Sequence, residues 1–335
     1  MVKNIKLNRI DLLIYELDNF KEINLLNELN DLKVLFYRHS SIFYWIYDNY
    51  TNFKCIYKAF TNSKLILSLV PLENNFLFKK WGINSILMTN FMTFEYNLII
   101  PSDSSSHTIL MIGRGNDKNK RFELGINSME YIMHEIENCQ LKIISDLIGT
   151  DNLQNLVDNL DLINIIKFVG YNSSPNIYFK NASLSFFPSI TEAFPMVLSE
   201  TKIYGIPNIL LGLDYISIAS RGTIIIYDDL PESLSKQAIK ILTHKKDRKK
   251  LGINARKSMK QYNNKLLFSK WIKLIFSIYY DDDYYKNLIL ENTREFENES
   301  TIILKNQIKL LKNRENKFIN ITMNNFINFT YMQSI

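Results

Sequence analysis

Cysteine is almost missing from this chain. Cys55 and Cys139 are the only two in 335 residues, and their separation matches no metal or redox motif, so both are expected as reduced thiols. No run of about 18 or more apolar residues occurs, so no membrane span is expected. The start, M-V-K-N-I-K-L-N-R-I-D, lacks the apolar core of a secretory signal. Glycine and proline are sparse, at ten and seven residues. No P-loop, H-E-x-x-H or G-x-S-x-G appears, which argues against the chemistries those motifs serve. His107, His134 and His244 have no partners at ligand spacing, so no metal site is expected. Excess charge is small as well. A net +6 is too weak and dispersed for nucleic acid, though it suits anionic substrates or an anionic membrane face. The N-x-S/T sequons at Asn49, Asn172, Asn181, Asn298, Asn320 and Asn328 are read as products of an Asn-rich composition.

What is present is apolar content organised in short runs. Hydrophobic residues make up 46% and charged residues 22%, as in a globular protein. The length suits two α/β domains. In the first stretch, Ile10–Tyr15, Lys33–Tyr37, Leu65–Val70 and Ser85–Thr89 read as strands, with a helix over Phe20–Leu29 and helical segments between the others. Strand and helix in alternation indicate a parallel sheet with crossover helices. His39 stands just past the second strand, where open parallel sheets bind ligands. The aromatic run Ile42–Tyr50 reads as an amphipathic helix of the core, with an acceptor-pocket lining as the other reading.

Pro101–Ser106 is a linker of turn formers. Beyond it, Thr108–Ile112, Leu141–Ser145, Ile165–Gly170, Asn208–Leu211 and Thr223–Tyr227 read as strands. Helices are expected over Leu124–Ile136 and Asn152–Leu160, from Pro231 onward, and as one continuous segment over Leu251–Tyr280. Strand Thr108–Ile112 runs into Gly113-Arg114-Gly115, where glycine lets backbone approach a ligand closely. Arg114, Lys118, Lys120 and Arg121 add positive charge there.

The stretch Ser189–Pro207, S-I-T-E-A-F-P-M-V-L-S-E-T-K-I-Y-G-I-P, is the centre of the chain. A polar turn leads into a helix expected from Pro195 to Tyr204, stopped by Gly205 and Pro207. Glu192 precedes it and Glu200 sits within it. The helix start offers N–H groups and a positive dipole end, which suit a phosphate.

These features in this order resemble retaining GT-B glycosyltransferases of the family 4 type. The E-x7-E spacing with Y-G-I-P resembles their donor-site motif, and G-R followed by lysine resembles their diphosphate-binding loop. The resemblance covers nearly all of residues 107–280. It implies two Rossmann-like doubly wound domains. Residues 1–103 would form the acceptor-side domain and 107–280 the nucleotide-sugar domain, with the last helices crossing back to the first. No counterpart of the family's opening strands and glycine-rich loop is seen before Ile10, so the first domain reads as truncated.

The resemblance also implies the roles. Arg114 and Lys120, with Lys118 the neighbouring choice, would bind the donor diphosphate beside the helix start at Phe194, Met196 and Val197. Glu200 would hold the ribose, Glu192 the donor sugar, and His39 would face sugar and acceptor. Ser68 and Asn90 match structural landmarks.

Residues 281–335 lie outside this pattern. Asp281-Asp282-Asp283 reads as a solvated loop. Thr301–Arg314 reads as a basic amphipathic helix, which packs on the body or lies on an anionic membrane. The expectation is a cytoplasmic, metal-independent transferase, with contact at the cytosolic membrane face kept open. It would use a nucleotide-diphosphate sugar and no other cofactor, with a glycan, lipid or protein acceptor. The alternatives are an inactive nucleotide- or sugar-binding relative or scaffold, and a sugar-nucleotide epimerase of the same architecture.

Overall fold

The computed structural model describes residues 11–16, 32–37, 39, 41–42, 53–171, 176–213, 215, 219, 221–280 and 282–291. The expected helices at Phe20–Leu29 and Thr301–Arg314, and all of the aromatic run but Ile42, lie outside these. The chain forms two compact units. One takes residues 1–90, 191–194 and 264–335, and the other takes 91–190 and 195–263.

In the first unit, β1 (Leu12–Glu16), β2 (Lys33–Tyr37), β3 (Leu65–Ser68) and β4 (Ser85–Leu87) pair in parallel in the order β1-β2-β3-β4. Helices α1 (Phe53–Asn62) and α2 (Pro71–Trp81) separate the later strands. β3 is buried along its whole length, as expected of a parallel strand covered on both faces. Pro71 opens α2, and Gly82 closes it in the left-handed region at φ 64°, a conformation glycine adopts without steric cost. The buried Glu73 carboxylate accepts the Ile42 N–H at 2.7 Å and the Ser68 hydroxyl at 3.4 Å.

In the second unit the strands are β5 (Thr108–Ile112), β6 (Gln140–Ser145), β7 (Ile166–Gly170), β8 (Ala182–Phe187), β9 (Asn208–Leu211) and β10 (Thr223–Ile226). All pair in parallel, in the order β10-β9-β8-β5-β6-β7. Read from the other edge, this is the doubly wound 3-2-1-4-5-6 arrangement, with its reversal between β5 and β8. The helices are α3 (Phe122–Glu135), α4 (Asp151–Asn159), α5 (Asn176–Phe179), α6 (Met196–Ile203), α7 (Pro231–Thr243) and α8 (Lys245–Ser258).

Two arginines tie this unit together. Buried Arg248 donates to the Ile241, Leu242 and Ser104 carbonyls at 2.6–3.3 Å. Arg256 donates to the Tyr96 and Ile99 carbonyls at 3.0 and 2.8 Å, and to that of Ile203 at the end of α6. A cation suits that negative end of the helix.

The helix expected over Leu251–Tyr280 is not continuous. It is α8, a 3-10 turn over Met259–Gln261, and then α9 (Asn264–Tyr280). Tyr262 leaves the helical region at ψ 66°, and the two helices belong to different units. The units therefore do not divide at 103 and 280. Leu274 and Ile278 of α9 pack in the first unit's core with Leu35, Leu65, Leu67 and Ile86, and Lys270 Nζ donates to the Leu87 carbonyl at 2.8 Å. A final helix, α10 (Tyr284–Glu291), follows. Asp282 is not simply solvated: its carboxylate accepts the Ser277 hydroxyl and the Tyr284 N–H, starting that helix.

Candidate functional site

The six-stranded sheet reverses its order between β5 and β8, and doubly wound sheets bind ligands at the carboxyl ends of the strands at such a reversal. The Gly113–Arg121 loop sits there. Gly113 N–H donates to the Ile144 carbonyl at 3.1 Å, and Gly115 N–H to Asp146 Oδ1 at 2.8 Å. Neither position has room for a side chain. A Cβ on Gly113 would meet the Lys120 stem at 2.7 Å, and one on Gly115 would meet the Ile148 carbonyl oxygen at 2.6 Å.

The loop then coils as a 3-10 turn over Lys118–Lys120, capped by Asp117, whose carboxylate accepts the Asn119 N–H at 3.0 Å. This turn separates the three cationic positions that follow Arg114. The Lys120 stem lies over Gly113, and its Nζ stands 5.8 Å from the centre of the Phe187 ring at the end of β8. Lys118 is exposed. Arg121 does not join the group. Its guanidinium is mostly buried and bonds Asp229 at 2.7 Å, with the backbone left-handed at φ 50°. Arg114 pairs with Asp117 at 3.1 Å while its side chain stays 72% exposed. So exposed a pair is worth at most about 1 kcal/mol, and an arriving anion can replace it.

The β5 and β8 loops are bonded to each other, since Ile190 N–H donates to the Asn119 carbonyl at 3.1 Å. Tyr215 Oη holds the β8 loop through the Ser189 carbonyl at 2.9 Å. The helix α6 follows. Pro195, expected as its first residue, is instead its N-cap, so the helix starts one residue later, and no side chain caps it. Its first N–H groups, Met196 and Val197 among them, have no partner within the helix. Thr201 donates to Asn208 Oδ1 at 2.9 Å, and Asn208 Nδ2 donates to the Ile206 carbonyl at 2.9 Å, which fixes the G-I-P turn. Tyr204 is buried and stacks on Phe179 at 4.7 Å.

Glu200 stands on α6 with its carboxyl raised above the usual carboxylate range by burial, against a hydrogen bond from Thr93 that lowers it. Two residues further on is the buried Lys202, whose ammonium burial brings down to about 7. Tyr171, just past β7, is 56% exposed. Its hydroxyl is raised by burial and by Asp146 and Glu200, while Arg114 lowers it. The charges of Arg114, Asp146 and Glu200 thus all act on the Tyr171 hydroxyl. Sequence reasoning singled out neither Tyr171 nor Asp146. The available signal was position, since both follow strand ends.

The remaining predicted residues belong to the first unit. Thr191–Phe194 groups there, with Glu192 half-buried and Phe194 buried. His39 is exposed. Its N–H donates to Glu16 Oε1 at 3.4 Å, and its ring meets the edge of Tyr37 at 4.7 Å. Tyr37 Oη donates to Asn90 Oδ1 at 2.8 Å, and burial, then Glu16, pushes that phenol up to about 12. Among the described residues, no group of His, Cys, Asp or Glu side chains could hold a metal ion.

Comparison with known proteins agrees with this fold. A family model described as Glycosyl transferases group 1 matches residues 99–258. An uncharacterized glycosyltransferase of Haemophilus influenzae is 24% identical over 155 residues, which are 45% of this chain and 42% of that protein. The chain thus matches less than half the length of that relative. Among solved structures, sucrose-phosphate synthase from Thermosynechococcus elongatus aligns with a TM-score of 0.69 and 17% identity, over 84% of this chain and 78% of that one. Anabaena Alr3699/HepE in complex with UDP aligns with a TM-score of 0.69 and 13% identity, over 82% and 80%. Residues 99–258 are thus similar to a glycosyl transferases group 1 domain, and the two parallel sheets share the GT-B fold of glycosyltransferase structures.

Proposed function

We propose that this protein is a retaining glycosyltransferase of the family 4 type, moving a sugar from a nucleotide-diphosphate sugar to an acceptor hydroxyl. The observation that supports this reading is that Arg114 and Lys120 stand on the loop after β5, at the reversal of the sheet, and that this loop is bonded to the one leading into α6. A structural neighbour, Alr3699/HepE, is described in complex with UDP and glucose, which supports a nucleotide-sugar donor.

In this reading the bond from the sugar's anomeric carbon to the diphosphate breaks, a bond to the acceptor oxygen forms, and the acceptor's proton is released. Negative charge grows on the departing diphosphate. Arg114, Lys120 and the free N–H groups at the start of α6, with Phe194, Met196 and Val197, stabilise it in place of a metal ion. Glu200 accepts hydrogen bonds from the ribose hydroxyls, and the exposed Tyr171 ring stacks on the base. Glu192 orients the donor sugar and His39 serves the reacting end. Positioning of donor and acceptor supplies the rest of the acceleration. No resident cofactor enters the reaction.

The test is a thermal-shift panel with UDP-, GDP- and ADP-sugars, followed by a hydrolysis assay on any hit and calorimetry on Arg114→Ala. A shift with one nucleotide class, lost in that variant, is the expected result. Unchanged affinity in the variant would refute the diphosphate site. Binding with no turnover toward any acceptor would favour a nucleotide-sugar-binding scaffold.

A further inference from the structure

Helix α9 carries apolar residues around its whole circumference, yet only one side is buried. Its inner side places Leu274 and Ile278 in the first unit's core, with Leu267 and Trp271 packed against them. The opposite side presents Phe268, Ile272, Phe276 and Tyr280, which are 60%, 41%, 56% and 70% exposed. These four follow one another at four-residue intervals, so they form a single ridge. Tyr279, 48% exposed, stands within the same arc of about 120°. The Phe276 and Tyr280 rings stack at 6.2 Å, and Tyr279 meets the edge of Tyr280 at 4.9 Å. A helix apolar all round belongs in a core or in lipid, and an exposed apolar patch of this size marks a contact surface.

The charges name the occupant. The 17 residues of α9 include Lys265, Lys270 and Lys273 and no Asp or Glu. Lys265 and Lys273 are exposed on the ridge side, whereas Lys270 is turned inward to the Leu87 carbonyl. Of the described acids that follow the helix, Asp282 accepts from Ser277 and Tyr284, and Asp283 pairs with Lys286. An aromatic and aliphatic ridge on a helix whose own charges are all lysine matches a bilayer interface, where aromatic rings sit at headgroup level and lysine meets anionic lipid. Two copies meeting through this face would bring like charges together. Five side chains also fall well short of the roughly 20–30 residues per side of a stable protein interface.

We infer that α9 docks the protein in its plane on an anionic membrane surface, burying the Phe268–Tyr280 ridge among the headgroups. The helix is about 26 Å long, and its ridge would sink about 5–10 Å. This goes beyond the donor chemistry.

Flotation of the full chain with vesicles tests it. The protein should rise with phosphatidylcholine mixed with phosphatidylglycerol and much less with phosphatidylcholine alone, and added salt should release it. Phe268→Ser with Phe276→Ser should lower partitioning about a hundredfold or more, since the two changes remove two large aromatic side chains from the headgroup region. Lys273→Glu should lower it a few-fold. In all variants the nucleotide thermal shift should persist, which shows that the fold and donor site are intact. Should the double variant misfold, Ile272→Cys in a Cys55→Ser background, labelled with a polarity-sensitive dye, gives a second reading. Its emission should shift to the blue on anionic vesicles. Equal flotation by the serine variant, an unshifted dye, or a wild-type chain that ignores all vesicles would overturn the inference. So would a dimer that the serine variant turns into a monomer while neither binds lipid.

Discussion

The six-stranded sheet reverses its order between β5 and β8, whereas the four described strands of the first unit run β1-β2-β3-β4 without reversal. A reversal is where doubly wound sheets bind ligands. In the second unit the glycine loop and the loop before α6 meet there, bonded through Asn119 and Ile190. In the first unit the exposed described features include His39 at one strand end and the ridge of α9.

Substitution on either side can break that contrast. Arg114→Ala and Glu200→Ala should each weaken nucleotide-diphosphate binding by about 1.5–3 kcal/mol, or roughly 10- to 150-fold by calorimetry. His39→Ala should leave that affinity within about twofold and reduce only turnover. An equal loss of affinity in His39→Ala would erase the distinction. Lys120→Ala should weaken binding and Lys118→Ala should not, because only Lys120 lies along Gly113 and Phe187. Tyr171→Ala should cost about 1–3 kcal/mol if its ring stacks on a base.

Stability offers a second contrast. In each unit a cation closes the carbonyl end of a helix. Arg248 does so for α7 while buried, and Lys33 does so for α9 through the Ile278 and Tyr279 carbonyls at 2.7 and 2.9 Å at the surface. Arg248→Met should lower the unfolding free energy by about 3 kcal/mol in urea, and Lys33→Met by about 1 kcal/mol, since only the buried carbonyls lose their partner without water to replace it.

The pH profile sharpens the picture of α6. Lys202 is held at about 7 in the folded chain against an ordinary 10.5. Between those values the unfolded chain keeps a proton that the folded chain has released, so stability should rise with pH across that window. Lys202→Met should flatten the rise. Glu200 acts the other way: its raised carboxyl takes up a proton in the folded chain first. Its contribution therefore grows as pH falls through the folded pKa and is lost as pH rises, and Glu200→Gln should remove it. The smallest effect is expected at Tyr204, whose buried hydroxyl has no hydrogen-bond partner. Tyr204→Phe should raise stability by about 1 kcal/mol, measured as a shift in melting temperature.

Much of this was legible before folding. The bounds of β2, β5 and β9 agree with the apolar runs, because a strand buried on both faces must be written as a continuous hydrophobic stretch. Motif and order singled out Arg114, Glu200 and Lys120 as expected site residues. The 3-10 turn set by Asp117, which separates Lys118 from Lys120, was not visible in the sequence. Arg121 read as part of the basic cluster, but its left-handed backbone and Asp229, 108 residues away, turn it elsewhere. The break between α8 and α9 was hidden because both halves are good helix sequence, and a change of unit needs only a few residues.

By itself, the sequence determined the alternation of strand and helix, the parallel sheets that follow from it, and the chemistry available at each strand end. Those are local properties, written in spacing and side-chain type. Tertiary structure alone decided which strands became neighbours, where their order reversed, and which cations were left facing a ligand. It also decided which side of α9 found a core. Each of these depends on contacts between residues far apart in the chain, and local pattern carries no record of them.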